Sequence, residues 1–277
     1  MRGDLGQLEV VRPRTLGAAL AALADADRPI PVAGGTDLYV AFNDGRAPAS
    51  RYLDLSRLEG LRDIAVDASG LRLGATTTYT DLRRSREIAR RAPVLATMAA
   101  TVGAVAIQNR GTLGGSLGNA SPASDPAPVL MALDATVELA RREGRRTVRR
   151  SVPISEFFLG YRATAARPDE LVTALHIPAE ALRGHRYGYR KVGSRQAQAI
   201  SKVVGAVGLR RHPRSGEIAS VRIAFGSVAP TPVRCRHAEE RLLGEALAPA
   251  TIVAAARALA ESDIAPIDDL RSTADYR

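Results

Sequence analysis

Apolar and polar positions along the chain switch repeatedly between the two-residue period of strands and the three-to-four spacing of helices. Leucines at 16, 20 and 23 follow Thr15, so 15–26 is expected to be a helix capped by that threonine. A short strand is expected before it, at 8–12, and another at 30–33 that runs straight into Gly34-Gly35. Thr36 or Asp37 then opens a short helix over 38–42. A strand at 51–55 follows, and then a hairpin of 64–66 with 71–75 around Asp67-Ala68-Ser69-Gly70. Helices are predicted over 79–91 and 93–102, the second with Pro93 in its first turn. Asp125-Pro126 reads as an N-cap followed by proline at the first helical position, starting a helix that ends near 132. Strands at 135–140 and 146–152 flank Gly144 as a second hairpin, and the Ala-rich stretch 162–169 reads as a linker. Beyond it the pattern predicts strands at 170–177, 186–192, 202–211 and 218–228 and helices at 231–243 and 249–262. The fold class is therefore α+β. A first domain is expected over 1–165, in two parts of about 1–55 and 56–165, and a second over 170–277, with an antiparallel sheet and helices on one face.

Composition narrows the chemistry. With 45% hydrophobic residues in 277, the chain can bury a substantial core, yet no apolar run approaches the roughly 20 residues of a membrane span. The first seven residues lack the apolar core of a secretory leader, and a cytoplasmic protein is expected. The single Cys235 excludes an internal disulfide and any iron–sulfur or zinc–thiolate site made by this chain alone. The histidines at 176, 185, 212 and 237 are scattered, so no metal site is expected. The net charge of +10 raises the question of nucleic acid. However, the arginines at 141–150 flank a predicted turn and those at 83–91 line the wet face of a predicted helix, while aromatics are 4% and Trp is absent. A solvated basic surface without nucleic acid is the reading adopted. Arginine supplies nearly all the cations, and the only lysines, Lys191 and Lys202, fall in one segment.

The most informative features are two glycine pairs beside hydroxyl residues, Pro31-Val32-Ala33-Gly34-Gly35-Thr36-Asp37-Leu38 and Thr112-Leu113-Gly114-Gly115-Ser116, the latter continuing to Asn119, Ser121 and Asp125. Adjacent glycines uncover backbone N–H groups and allow positive φ, which suits an anion. Two such turns converging from opposite sides would hold a diphosphate. Neither is a G-x-G-x-x-G dinucleotide fingerprint nor a G-x-x-x-x-G-K-[ST] phosphate loop. Asp37 and Asp125 accept hydrogen bonds only, so they are expected to face sugar hydroxyls or free N–H groups. No acid–base dyad or nucleophile triad is visible, and no catalytic residue is assigned.

These residues resemble the two FAD-binding motifs of the flavoprotein (medium) subunits of the molybdenum hydroxylase family, which includes xanthine dehydrogenase and carbon monoxide dehydrogenase. The resemblance extends through Arg190-Lys191-Val192-Gly193-Ser194-Arg195, Ala199-Ile200-Ser201-Lys202-Val203 and Ala224-Phe225-Gly226-Ser227-Val228-Ala229-Pro230 to the end of the chain. It implies a two-part FAD-binding domain of the PCMH/molybdopterin-dehydrogenase type, followed by an α+β C-terminal domain. By the same resemblance, residues 31–38 (Pro31, Val32, Ala33, Gly34, Gly35, Thr36, Asp37, Leu38) wrap the FAD diphosphate, and Thr112, Gly114, Gly115 and Ser116 close on it. Asn119, Ser121 and Asp125 hold sugar hydroxyls or the polar linker, and Val102 and Val172 pack on the cofactor. Lys191 stands near the isoalloxazine, which Ile200 covers. It further implies an electron-transfer role. FAD would take electrons from an iron–sulfur subunit, alongside a molybdopterin subunit, and deliver them to NAD+ or another acceptor.

The chain departs from the family pattern at Ser116, where asparagine is usual, and at Ala106-Ile107-Gln108-Asn109, where the family usually reads Gln-[Ile/Val]-Arg-Asn. Neither change removes a glycine. Thr36-Asp37 differs from the His-Ser version of the carbon monoxide enzymes, which favours a xanthine-dehydrogenase-like hydroxylase. A stand-alone FAD-dependent oxidoreductase acting on its own small substrate is the alternative, and a nucleotide- or nucleic-acid-binding protein is the third reading.

Overall fold

The computed structural model describes residue 6 and residues 8–277; apart from Gly6, the stretch 1–7 lies outside it. The chain is layered. Three short parallel strands, Glu9–Val11, Arg51–Asp54 and Ile30–Val32, form a first sheet with Arg51–Asp54 in the middle. Helix Leu16–Leu23 lies beside it. Thr15 accepts the N–H of Ala18 through its side chain at 3.2 Å, a cap worth about 1 kcal/mol. Leu20 and Leu23 are fully buried with Leu53, Ala140 and Leu171, joining this sheet to the next.

The second sheet has five antiparallel strands in the order Ile64–Val66, Gly70–Gly74, Leu171–Pro178, Thr136–Glu143, Arg146–Pro153. Its inner face contributes Leu71, Leu73, Val137, Leu139, Leu175 and Ile177 to the main core. Helices Tyr79–Arg84, Pro93–Ala99, Leu113–Asn119 and Pro126–Ala132 supply the other side of that core. A third sheet, Arg186–Val192, Val203–Arg211, Ile218–Gly226 and Val233–Arg234, is antiparallel throughout. Its alternation sets which side each residue faces. Ala206 and Ala224 join the main core beside helix Pro126–Ala132, while Val221, Ile223 and Phe225 face helices Arg236–Leu242 and Pro249–Ala258. The expected arrangement of helices on one face is therefore completed by a helix of the first region on the other.

Several expectations are corrected. The strand placed in the second domain, Leu171–Pro178, is the central strand of the first region's sheet, paired with Gly70–Gly74 on one side and Thr136–Glu143 on the other. The boundary expected at 165–170 therefore falls inside the first region. The stretch 162–169 is no free linker either. Glu170, almost fully buried, accepts both Nε and an Nη of Arg150 at 2.7 Å, and Ala165 O accepts from the same guanidinium. The helix expected over 79–91 is two, because Ser85 turns extended (ψ 124°), ends the first and accepts the N–H of Ile88 to begin the second. Helix Val105–Arg110 and helix Leu113–Asn119 were not expected. Across the junction of the two regions Asp134 pairs with both Arg222 and Arg234, and Arg234 also pairs with Glu239.

Candidate cofactor site

The first glycine pair sits where the parallel strands end, the side of an open parallel sheet at which ligands gather. After Val32 the chain turns through Gly34 and Gly35 into helix Leu38–Asn43. Gly34 is obligatory for packing: a Cβ there would fall inside the Arg110 carbonyl group. Gly35 has φ +71°, and a Cβ on it would lie 2.9 Å from the ring of Tyr39. Tyr39 N–H donates to Gly35 O at 2.9 Å, but the N–H groups of Gly34, Gly35, Thr36, Asp37 and Leu38 meet no acceptor among the described residues. They are the donor row expected from the sequence. Asp37 opens the helix, as expected, but without a side-chain cap bond; its carboxylate is exposed and lies 4.0 Å from an Nη of Arg162. Beside the turn is a cleft of about 230 Å³, whose lining includes Val10, Arg12, Val32, Gly35, Tyr39 and Arg110.

The second glycine pair behaves differently. It is the first turn of helix Leu113–Asn119, and all its N–H groups are engaged: Leu113 with Thr77 O, Gly114 with Ala75 O, Gly115 with Thr112 Oγ1 and Ser116 with Thr112 O. The expectation that both glycine pairs offer free N–H groups is thus met by the first alone. Gly114 faces inward, where a Cβ would lie 2.7 Å from Ala75 Cβ. Gly115 and Gly118 are exposed, one helical turn apart, and leave a smooth backbone wall.

The structure brings the two motifs together. Gly34 abuts Arg110-Gly111, the residues just ahead of Thr112, and Arg110 Nε approaches Gly34 O at 3.4 Å. At the far end of the helix, Asn119 Oδ1 accepts from Arg162 at 3.2 Å, and the same guanidinium nitrogen lies beside Asp37. Arg162 sits in the turn between strands Phe158–Gly160 and Ala163–Thr164 with φ +54°. For a residue other than glycine that backbone costs on the order of 1 kcal/mol. Arg110 and Arg162 were not assigned from the sequence. Arg110, adjoining Gly111-Thr112, was discoverable there, whereas nothing local marks Arg162.

The remaining residues form a second, buried polar cluster. Lys191 Nζ donates to Asp125 Oδ2 at 2.6 Å and to Thr101 O at 3.0 Å. Tyr189 OH lies 3.0 Å from Thr101 Oγ1, and Ser116 Oγ lies 3.0 Å from Ser124 Oγ. Burial pushes the Asp125 carboxyl above its ordinary value even though Lys191 pulls it down, and burial also pushes the Tyr79 phenol up to about 12. Asp125 Oδ1 is buried without a hydrogen-bond partner, an acceptor left for a ligand donor. Its side chain does not cap the following helix, and it faces Lys191 rather than a free N–H group. Ser121 Oγ is used in its own turn, accepting Ala123 N–H at 3.2 Å. Val102 and Val172 are partly buried against the main core. Ile200 is 66% exposed, in the loop that joins the Lys191 strand to Val203–Arg211. Gln108, where the family usually has arginine, is buried, donates to Ala100 O and Val102 O at 3.2 and 3.0 Å, and accepts from Arg83. It therefore anchors the loop that carries Val102.

FAD fits these features. The donor row at 34–38 suits a diphosphate, the glycine wall admits close approach, and the orphaned Asp125 Oδ1 suits a hydroxyl or ring N–H.

Comparison with known proteins agrees. Residues 6–180 match the family model for the FAD binding domain in molybdopterin dehydrogenase, and residues 188–277 match that for the CO dehydrogenase flavoprotein C-terminal domain. The xanthine dehydrogenase FAD-binding subunit of Escherichia coli O157:H7 is 30% identical over 96% of this chain and 89% of its own length. The carbon monoxide dehydrogenase medium chain of Hydrogenophaga pseudoflava is 32% identical over 98% of this chain and 92% of its own. A solved structure of carbon monoxide dehydrogenase from the same organism superposes with a TM-score of 0.90, covering 98% of this chain and 91% of that one. The near-equal identities to the xanthine and carbon monoxide enzymes leave the choice suggested by Thr36-Asp37 undecided. By sequence, fold and site, this chain belongs to the FAD-binding medium-subunit family of the molybdenum hydroxylases, FAD-dependent dehydrogenase components with FAD as their cofactor.

Proposed function

We propose that this chain is the electron-transfer subunit of a multi-subunit molybdenum hydroxylase, working beside an iron–sulfur subunit and a molybdopterin subunit in the cytoplasm. The observation that carries the reading is the row of N–H groups at Gly34–Leu38 that meet no acceptor among the described residues, on a turn packed against Arg110-Gly111 just ahead of helix Leu113–Asn119. Gly34, Gly35, Thr36 and Asp37 would hold the diphosphate by their N–H groups. Asn119 and Asp125 would accept from hydroxyls or a ring N–H, and Val102 and Val172 would bound the site. Lys191, buried against Asp125, would hold that carboxylate in place and offer an ammonium donor to the bound flavin. FAD supplies the redox capacity when bound; the protein supplies position, electrostatics and exclusion of water. Cys235, the single cysteine, is buried and its thiol is pushed up to about 12, so clusters and molybdenum would stand on other chains. NAD+ is one acceptor consistent with this reading. The relatives in the comparison are named as medium chains or FAD-binding subunits of larger enzymes, which supports the partnership.

The test is co-expression with the candidate partner chains, followed by native mass spectrometry and a flavin spectrum of the complex. A complex holding FAD and reducible by the hydroxylase substrate is expected. A flavin-containing chain that takes no partner and is reduced directly by a small molecule would favour the stand-alone oxidoreductase instead.

A further inference from the structure

We propose that Arg162 is the cation of the diphosphate site, a binding residue contributed by the hairpin turn 160–163 and belonging to neither glycine motif; the assignment rests on the FAD reading above. Tyr161 and Arg162 are the two central residues of a tight turn in which Gly160 pairs with Ala163. The left-handed backbone at Arg162 favours glycine or asparagine, so arginine is kept there against local preference. Burial does not compensate, because the side chain is 53% exposed. Its pairings in the folded chain are weak ones: a long bond to the neutral Asn119 amide and a 4.0 Å approach to the exposed Asp37. What distinguishes the position is its place, with the guanidinium standing between a residue of the first motif and a residue of the second.

Asp37 makes a cation necessary there. The five unaccepted N–H groups suit a diphosphate, yet one of them belongs to Asp37, whose ionised carboxylate repels the same ligand. Arg110, the other arginine touching the motifs, commits its Nε to Gly34 O and lines the cleft on the Val32 and Tyr39 side of the turn rather than the side of Asp37 and Asn119. Arg162 offsets Asp37, and among the described residues its guanidinium donates a hydrogen bond to Asn119 alone, which leaves further donors for a ligand. The Arg162 guanidinium also stands 5.9 Å from the Tyr161 ring centroid, which steadies it at the rim. A diphosphate lying over the turn 34–38 would be held by its N–H groups and by Arg162 beside Asp37.

The experiment is titration of the flavin-free chain with FAD, followed by flavin fluorescence, for the wild type, Arg162→Asn and Arg162→Lys, at low and high salt. Asparagine suits the backbone, so Arg162→Asn is expected to melt no lower than wild type. Its FAD dissociation constant should rise about tenfold or more, as for loss of a charge-assisted hydrogen bond, with a weaker salt dependence. Arg162→Lys should fall between. Equal FAD affinity of Arg162→Asn and wild type, or a loss of affinity that merely follows a lowered melting temperature, overturns the assignment. A wild-type chain that binds no FAD removes the cofactor reading itself, and this assignment with it.

Discussion

The two glycine-pair segments look alike as sequence and do opposite things as structure. At Gly34-Gly35 the chain leaves a parallel strand, takes a positive φ at the second glycine, and presents five N–H groups that meet no acceptor among the described residues. At Gly114-Gly115 it enters a capped helix, and every N–H group is bonded within the protein. The first is a donor surface. The second is a packing joint with one glycine turned in against Ala75 and the other turned out to the surface. Glycine pairs beside hydroxyls therefore do not specify anion binding on their own; what precedes and follows them decides whether the N–H groups stay free.

The largest effect that bears on this contrast should come from Lys191→Met. If the second segment ends in internal structure at Asp125, removing the cation leaves a buried carboxylate alone and costs about 3–5 kcal/mol at neutral pH in urea denaturation. The Asp125 carboxyl is already raised above its unfolded value, so the cost of its charge is fully present above its folded pKa and is relieved as pH falls through it. The variant should therefore recover stability relative to wild type as the pH is lowered from neutral through the raised Asp125 pKa. A variant as stable as wild type at neutral pH would make Asp125 a purely ligand-facing group and erase the contrast.

Gly114→Ala and Gly35→Ala should then divide. The first is expected to lose about 1–3 kcal/mol through its clash with Ala75, with FAD affinity of the folded fraction little changed. The second should lose about 1–2 kcal/mol through its φ of +71° and, more tellingly, at least about tenfold in FAD affinity as the donor row moves. Isothermal titration after separate thermal melts distinguishes them, and the reverse pattern would invert the assignment of the two motifs. Thr112→Ala should cost about 1 kcal/mol, the worth of its cap on Gly115, measured by chemical denaturation. Gly118→Ala meets nothing within 4 Å and should gain about 0.5–1 kcal/mol of helix stability in a thermal melt while weakening FAD, if the exposed Gly115–Gly118 face lies against the cofactor.

What was legible in the sequence was local. Thr15 with its leucine spacing, the hairpin about Gly144 and the Pro126 helix start each announce themselves within a few residues, and the structure has all of them. Helix Leu113–Asn119 did not, because three glycines in seven residues argue against a helix; the Thr112 cap and the burial of Leu113 and Leu117 override that propensity. The place of Leu171–Pro178 was hidden for another reason. Its partners lie about 30 and 100 residues upstream, and nothing in a strand's own pattern names its neighbours. At 31–38 the strand followed by two glycines let open N–H groups be expected, and the structure has them there among the described residues. Arg162 could not be read in that way, because its place depends on a hairpin tip meeting Asp37 and Asn119, residues distant in sequence.

That late central strand also bears on how the chain is made. Until residues 171–178 have left the ribosome, strands Gly70–Gly74 and Thr136–Glu143 each present a bare edge with no partner between them. Most of the first region must therefore wait in an incomplete state for several seconds of synthesis, at roughly 5–20 residues per second, with two pairing edges open to other chains. A product released early, before the strand is added, is the form of this protein most exposed to aggregation. The element that closes the cofactor domain thus also marks when it becomes safe in a crowded cell.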